Sequence, residues 1–166
     1  MASALVGLGG NLGDVLACFR RAISVLATLP STRVVKVARA YRTRALMADA
    51  SHAPGPDYWN TAVELATTLS PHQLLTHLQA IEADAGRVRR QRWEARPLDL
   101  DLLYYDDHVI DDAQLTLPHP HAMARLFVVA PLADIAPERV AGGRTFSERV
   151  GDFDSNDLRE IRDAWF

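Results

Sequence analysis

Residues 86–101 read Gly-Arg-Val-Arg-Arg-Gln-Arg-Trp-Glu-Ala-Arg-Pro-Leu-Asp-Leu-Asp, five arginines in ten residues running into two aspartates at a spacing of two. Side chains alternate along a strand, so Asp99 and Asp101 share one face while Leu98, Leu100 and Leu102 take the other. Their Cα atoms then lie about 6.5–7 Å apart. Two carboxylates aimed at one small volume repel each other unless cations or water compensate. Magnesium suits such a pair, because it is held by one or two carboxylates plus waters and phosphate oxygens, and two ions can straddle a phosphoryl centre. The neighbouring arginines add forked hydrogen bonds to phosphate. Taken alone, such a pair is more often a solvated strand face, with its aspartates beside surface arginines.

Other residues extend this constellation. Gln79 and Glu82 stand three apart on a helix that runs into the arginine stretch, placed for a nucleotide or a metal shell or for plain solvation. His119 follows Leu117-Pro118, where a turn can aim its imidazole at phosphate. Trp93, Tyr58 and Phe127 are flat enough to stack on a ring, although core packing is the commoner use of aromatics. The opening Gly7-Leu8-Gly9-Gly10-Asn11-Leu12-Gly13 lacks the P-loop lysine and fails the G-x-G-x-x-G pattern, so it reads as a turn. No Ser/His/Asp constellation is identifiable, and Cys and His do not cluster as zinc requires.

The elements that must position these residues follow from periodicity. Ala2 to Leu8 reads as a strand, and Val15, Leu16, Phe19, Ala22, Ile23 and Leu26 mark an amphipathic helix with an acidic start at Asp14. Arg33 to Tyr41 and Tyr58 to Thr68 read as strands, joined by a surface loop from Arg44 to Pro56 of the kind that serves as a lid. Ser70-Pro71-His72-Gln73 is a capping-box pattern, Leu74, Leu75, Leu78, Ile81 and Ala85 form the buried stripe, and Gly86 stops the helix. A strand from Leu98 to Tyr105 should turn at Asp106-Asp107-His108 and return through Val109-Ile110. A helix from Ala122 to Ala133 and a tail with a short strand and a final helix around Leu158 to Ala164 complete the chain. The order strand, helix, strand, strand, helix, strand predicts an α+β, ferredoxin-like βαββαβ core with a mainly antiparallel sheet, helices on the sheet and additional C-terminal elements.

Composition limits the alternatives. With 166 residues, 48% of them apolar, the chain has material for one cored domain spanning 1–166, and a net charge of −3 offers no global field for nucleic acid. Seventeen of the eighteen cations are arginine, the better planar grip on phosphate. Cys18 has no partner for a disulfide and reads as a small core residue. The N-terminus has no charged region, and its apolar run is far short of the roughly 20 residues of a membrane span. A soluble, cytoplasmic monomer without nucleic-acid or membrane partners is expected.

Taken together, Gly9-Gly10-Asn11-Leu12-Gly13-Asp14, Tyr41-Arg42-Thr43, Asp57-Tyr58-Trp59-Asn60, Gln79-Ala80-Ile81-Glu82, Gly86-Arg87-Val88-Arg89, Arg92-Trp93 to Asp101 and Pro118-His119 to Phe127 resemble the 6-hydroxymethyl-7,8-dihydropterin pyrophosphokinase family of folate biosynthesis, from about Leu5 to Glu138. The resemblance implies transfer of the β,γ-pyrophosphoryl group of ATP to the pterin hydroxymethyl oxygen, with release of AMP. It implies that Asp99 and Asp101 hold two Mg²⁺ ions, that Arg87 and Arg96 stabilise the transferring group, and that Arg89, Arg92, His119 and Arg125 reach ATP phosphates. Gln79, Glu82 and Thr116 would lie with the nucleotide. Tyr58 and Phe127 would sandwich the pterin, Asn60 would bond its amide-like edge, Thr43 and Leu46 would complete that edge by backbone, and Trp93 would close over the site, with Asp99 also beside the pterin. The chain departs from the family in carrying Glu94-Ala95 for the usual Gly-Pro and Gly10 for the usual serine. A magnesium-dependent nucleotidyltransferase and a non-catalytic RNA-binding ferredoxin-like module are the alternatives that the residues leave open.

Overall fold

The computed structural model describes residues 1–44, 57–86, 97–162 and 164–165. The chain begins with strand β1 (Ala2–Gly10), helix α1 (Val15–Leu26), strands β2 (Thr32–Val37), β3 (Ala40–Thr43) and β4 (Tyr58–Thr67), helix α2 (Pro71–Asp84) and strand β5 (Asp99–Tyr105). A short ribbon, β6 (Ile110–Asp111) and β7 (Thr116–Leu117), leads to helix α3 (Leu126–Ile135). A hairpin, β8 (Val140–Ala141) and β9 (Arg144–Thr145), helix α4 (Phe146–Val150), a 3₁₀ turn and strand β10 (Arg159–Ile161) follow.

The main sheet runs β10-β3-β4-β1-β5, with β2 continuing the β3 side along β4, and every pairing is antiparallel. This is the expected α+β order. On β1, Ala4, Val6 and Leu8 point to one face and pack with Val15, Phe19 and Leu26 of α1, with Leu74, Leu78 and Ile81 of α2, and with Leu98, Leu100 and Leu102. Leu5 points to the other face with Ala62, Leu103 and Tyr104, covered by Leu132 and Ile135 of α3 and Phe146 of α4. Helices thus cover both sides, and a register shift between Leu5 and Val6 sends both Leu103 and Tyr104 to the α3 side. Among the described residues no helix is long and apolar enough to cross a membrane.

Local chemistry fixes the helix starts. The Asp14 carboxylate accepts from Ala17 N at 3.0 Å, and Ser70 and Gln73 close the capping box in both directions. Gly86, at φ +88°, ends α2 in the left-handed region.

Several expected elements differ. Gly9 and Gly10 belong to β1, paired with Asn60 and Trp59 of β4, and the strand ends only before Asn11. The segment from Arg33 to Tyr41 is two strands, interrupted where Thr61 Oγ1 donates to the carbonyls of Ala38 and Arg39. The return through Val109-Ile110 does not pair with β5: Val109 is 82% exposed, and Ile110 pairs with Leu117 instead. Helix α3 starts at Leu126, since residues 120–124 form successive turns with Ala122 N bonded to His119 O and Ala124 N to His121 O. Cys18 is half-buried on α1 and lies outside the core. The loop read as a lid, Arg44 to Pro56, falls outside the described residues except for Arg44.

The predicted C-terminal helix is instead β10, whose Glu160 lies opposite Tyr41 on the open edge of β3. Beyond it Trp165 Nε1 donates to Ala38 O at 3.0 Å, its ring packs on the α1 side of the core, and Arg20 donates to Ala164 O at 2.7 Å. An unpaired edge is costly to leave open, and the tail straps it. Trp165→Ala is expected to cost about 1–2 kcal/mol, below the about 3–5 of a fully buried tryptophan, and to lower the thermal midpoint by about 2–8 °C. An unchanged melting curve would show that the strap carries no stability.

Candidate active site

Antiparallel pairing carries one rung across four strands: Tyr41 faces Asn60, Asn60 faces Gly9 and Gly9 faces Asp99. The parallel rung two residues away is Ala62, Gly7, Asp101. Directly opposed side chains share a face, so Asn60 and the two aspartates rise on the α3 side of the sheet. Bare backbone at Gly9 lies between Asn60 and Asp99. With strands about 4.8 Å apart, the two flank a floor about 10 Å wide. A Cβ on Gly9 would sit 3.1 Å from Asn60 Oδ1, and one on Gly10 would sit 2.7 Å from Pro97 O. The second distance shows that the chain entering β5 lies close against β1 at Gly10. Gly7 and Gly9, the glycines of the site face, were missed as site residues. Their signal was the spacing of two in Gly7-Leu8-Gly9, which leaves one strand face bare.

Along the same edge, Thr43 pairs with Tyr58 as the last rung between β3 and β4. Asn60 Nδ2 is buried and makes no hydrogen bond among the described residues. A buried donor left so costs about 1–3 kcal/mol, and a polar ring edge would satisfy it. Phe127 stands in the first turn of α3 with the exposed Arg125 guanidinium 5.7 Å from its ring. Helix α3 is tied to the sheet by Asp134, which accepts from Tyr41 Oη at 2.8 Å and from Arg39 at 2.6 Å. Burial, reinforced by that bond, pushes the Tyr41 phenol above its usual range.

The acid pair has the predicted geometry, with Leu98, Leu100 and Leu102 buried on the opposite face. His119 belongs to the same locality. Burial lowers its pKa, the Asp101 charge opposes that shift, and His121 and Arg125 add to it. Its N–H of the main chain donates to Leu103 O at 2.9 Å, and its Nδ1 accepts from His121 N at 3.2 Å. The neutral ring therefore carries its proton on Nε2, a donor suited to a phosphate oxygen. Among the described residues no group of three or more His, Cys, Asp or Glu side chains forms a metal cage. Two carboxylates without soft ligands fit a magnesium ion that completes its shell with water and phosphate, and fit zinc poorly.

The remaining expected residues are divided. Gln79 and Glu82 lie on α2, which packs on the other side of the sheet; Gln79 is exposed, while Glu82 is only 6% exposed. Thr116 is exposed on β7. Leu46, Arg87, Arg89, Arg92, Trp93 and Arg96 lie outside the described residues.

The family model of 7,8-dihydro-6-hydroxymethylpterin-pyrophosphokinase matches residues 5–137. The chain belongs to this family. A 2-amino-4-hydroxy-6-hydroxymethyldihydropteridine pyrophosphokinase of Synechocystis is 43% identical over 91% of this chain and 76% of its own length. That of Methylorubrum extorquens is 39% identical over 97% and 99%. Among solved structures, a Plasmodium falciparum HPPK-DHPS chain with pteroate superposes at a TM-score of 0.72, with 12% identity, over 96% of this chain and 46% of that one. The wild-type HPPK-DHPS with SDX-DHP gives 0.67 over 92% and 43%. The pyrophosphokinase chain spans under half of those solved chains, and their likeness is one of fold.

Proposed function

We infer that this pyrophosphokinase transfers the β,γ-pyrophosphoryl group of ATP to the hydroxymethyl oxygen of 6-hydroxymethyl-7,8-dihydropterin, releasing AMP, a step of folate biosynthesis. The observation that carries the site assignment is the Asn60–Gly9–Asp99 rung, which puts a buried amide donor and an acid pair at opposite sides of a bare glycine floor. A flat heterocycle lying on that floor presents its amide-like edge to Asn60 and its hydroxymethyl arm toward Asp99 and Asp101. Tyr58 and Phe127 stack on its faces, and the backbone at Thr43 and Leu46 completes the edge.

Asp99 and Asp101 are the residues that would hold two Mg²⁺ ions, which when bound neutralise phosphate charge and align the oxygens in line. His119, through Nε2–H, and Arg89, Arg92 and Arg125 bind the ATP phosphates, while Arg87 and Arg96 stabilise charge on the transferring group. Gln79, Glu82 and Thr116 flank the nucleotide, which must cross the β5 edge to reach from α2 to the acid pair, and Trp93 shields the site. Transfer of this kind depends on positioning and charge, so no protein nucleophile is required. The enzyme acts as one domain and as a monomer.

Incubation with ATP, Mg²⁺ and 6-hydroxymethyl-7,8-dihydropterin is expected to yield AMP and the pterin diphosphate in equal amounts. Release of pyrophosphate without AMP would identify a nucleotidyltransferase and overturn the reading.

A further inference from the structure

Strand alternation splits the end of the β3–β4 ladder into two sets. Thr43, Tyr58 and Asn60 serve the site face. Trp59 packs against the opposite core, below α1 and α2, and Arg42 stacks on it with the guanidinium 5.7 Å from the ring. Arg42 and Trp59 are directly opposed, one rung before Thr43 and Tyr58. Asp57, just outside the ladder and adjacent to Tyr58, reaches back diagonally to Arg42 with Nε donating to Oδ2 at 2.8 Å. On the other flank Arg42 faces Arg159 of β10, a like charge that Asp57 offsets.

The last rungs of a ladder fray, since nothing beyond them holds the strands together. Here the last rung of the described β3–β4 ladder is the one presenting Thr43 and Tyr58. We propose that Arg42 and Asp57 are positioning residues for pterin recognition: their ion pair, laid over Trp59 on the back of the sheet, clamps the terminal rung so that Thr43 and Tyr58 hold their places on the front. Neither side chain touches the site, so their effect reaches the substrate only through Tyr58 and Thr43. The inference rests on the pterin assignment above.

The pair is half-exposed, with the Arg42 and Asp57 side chains 51% and 30% accessible, and its influence is correspondingly modest. Arg42→Gln and Asp57→Asn are each expected to raise the KM for 6-hydroxymethyl-7,8-dihydropterin about 3–10-fold, leaving the KM for ATP unchanged. The double variant should be no worse than the more damaged single one, and Arg42→Lys should recover part of the loss. Tyr58→Ala is the control. A weakened Tyr58→Ala beside unaltered Arg42→Gln and Asp57→Asn would overturn the clamp, as would equal rises in both Michaelis constants. Unaltered pterin kinetics in Tyr58→Ala would instead overturn the pterin assignment. Should Arg42→Gln fail to fold, the isosteric Asp57→Asn decides the matter alone.

Discussion

Asp101→Ala is expected to lower turnover by about three orders of magnitude or more, while moving the thermal midpoint by no more than about 1–2 °C. The two halves of this result have separate causes. Asp101 is exposed and lies opposite Gly7, so its side chain supports no part of either core. Removing it relieves repulsion with Asp99, which offsets whatever local bonds are lost. Catalysis is different, because in the proposed site the triphosphate would gather several negative charges where Asp99 and Asp101 already put two. Transfer can proceed there only if cations are held against both the carboxylates and the phosphates. Asp101→Asn keeps the shape, removes the charge and should be nearly as inactive, which separates charge from volume. Rapid-quench measurement of a single turnover, with magnesium raised until the rate no longer changes, is the appropriate assay. A variant that regains wild-type turnover at high magnesium would show that Asp101 only concentrates the ion; full activity at ordinary magnesium would remove it from the mechanism.

The acid pair was legible because a strand with leucines at 98, 100 and 102 allows only one face for Asp99 and Asp101, and the structure buries those leucines on the far side. Helix α2 was legible for a similarly local reason, its capping box. The glycine floor was not. Gly9 read as part of a turn because glycine signals either a turn or a close approach, and what distinguishes it here is Asn60 Oδ1, an atom some 50 positions away in sequence. The tail failed in the same way. Residues 158–164 carry enough apolar spacing for a helix, but β3 presents an open edge, and long-range pairing overrides local preference. The burial of Glu82 was not legible, since periodicity marks the stripe of a helix without saying how far its neighbours wrap around it.

Asn60 is where the glycine floor has its largest expected effect on substrate choice. Asn60→Ala should raise the KM for 6-hydroxymethyl-7,8-dihydropterin by about 10–100-fold, since a ring edge buried without its partner costs about 1–3 kcal/mol. The wild-type amide is held ready: its Oδ1 lies over Gly9 and its Nδ2 is buried without a hydrogen bond among the described residues. Folding has therefore already desolvated the donor, and substrate recovers that loss on binding. The same reasoning gives the stability change an unusual sign. Removing an unsatisfied buried group is close to neutral, so the free Asn60→Ala protein should melt at or slightly above the wild-type midpoint even as it loses its substrate. Calorimetric titration with the pterin, paired with thermal melts of the unliganded proteins, tests both statements together. Weaker binding with a large fall in the midpoint would mean that Asn60 supports the sheet and not the substrate, and unchanged binding would place the pterin elsewhere.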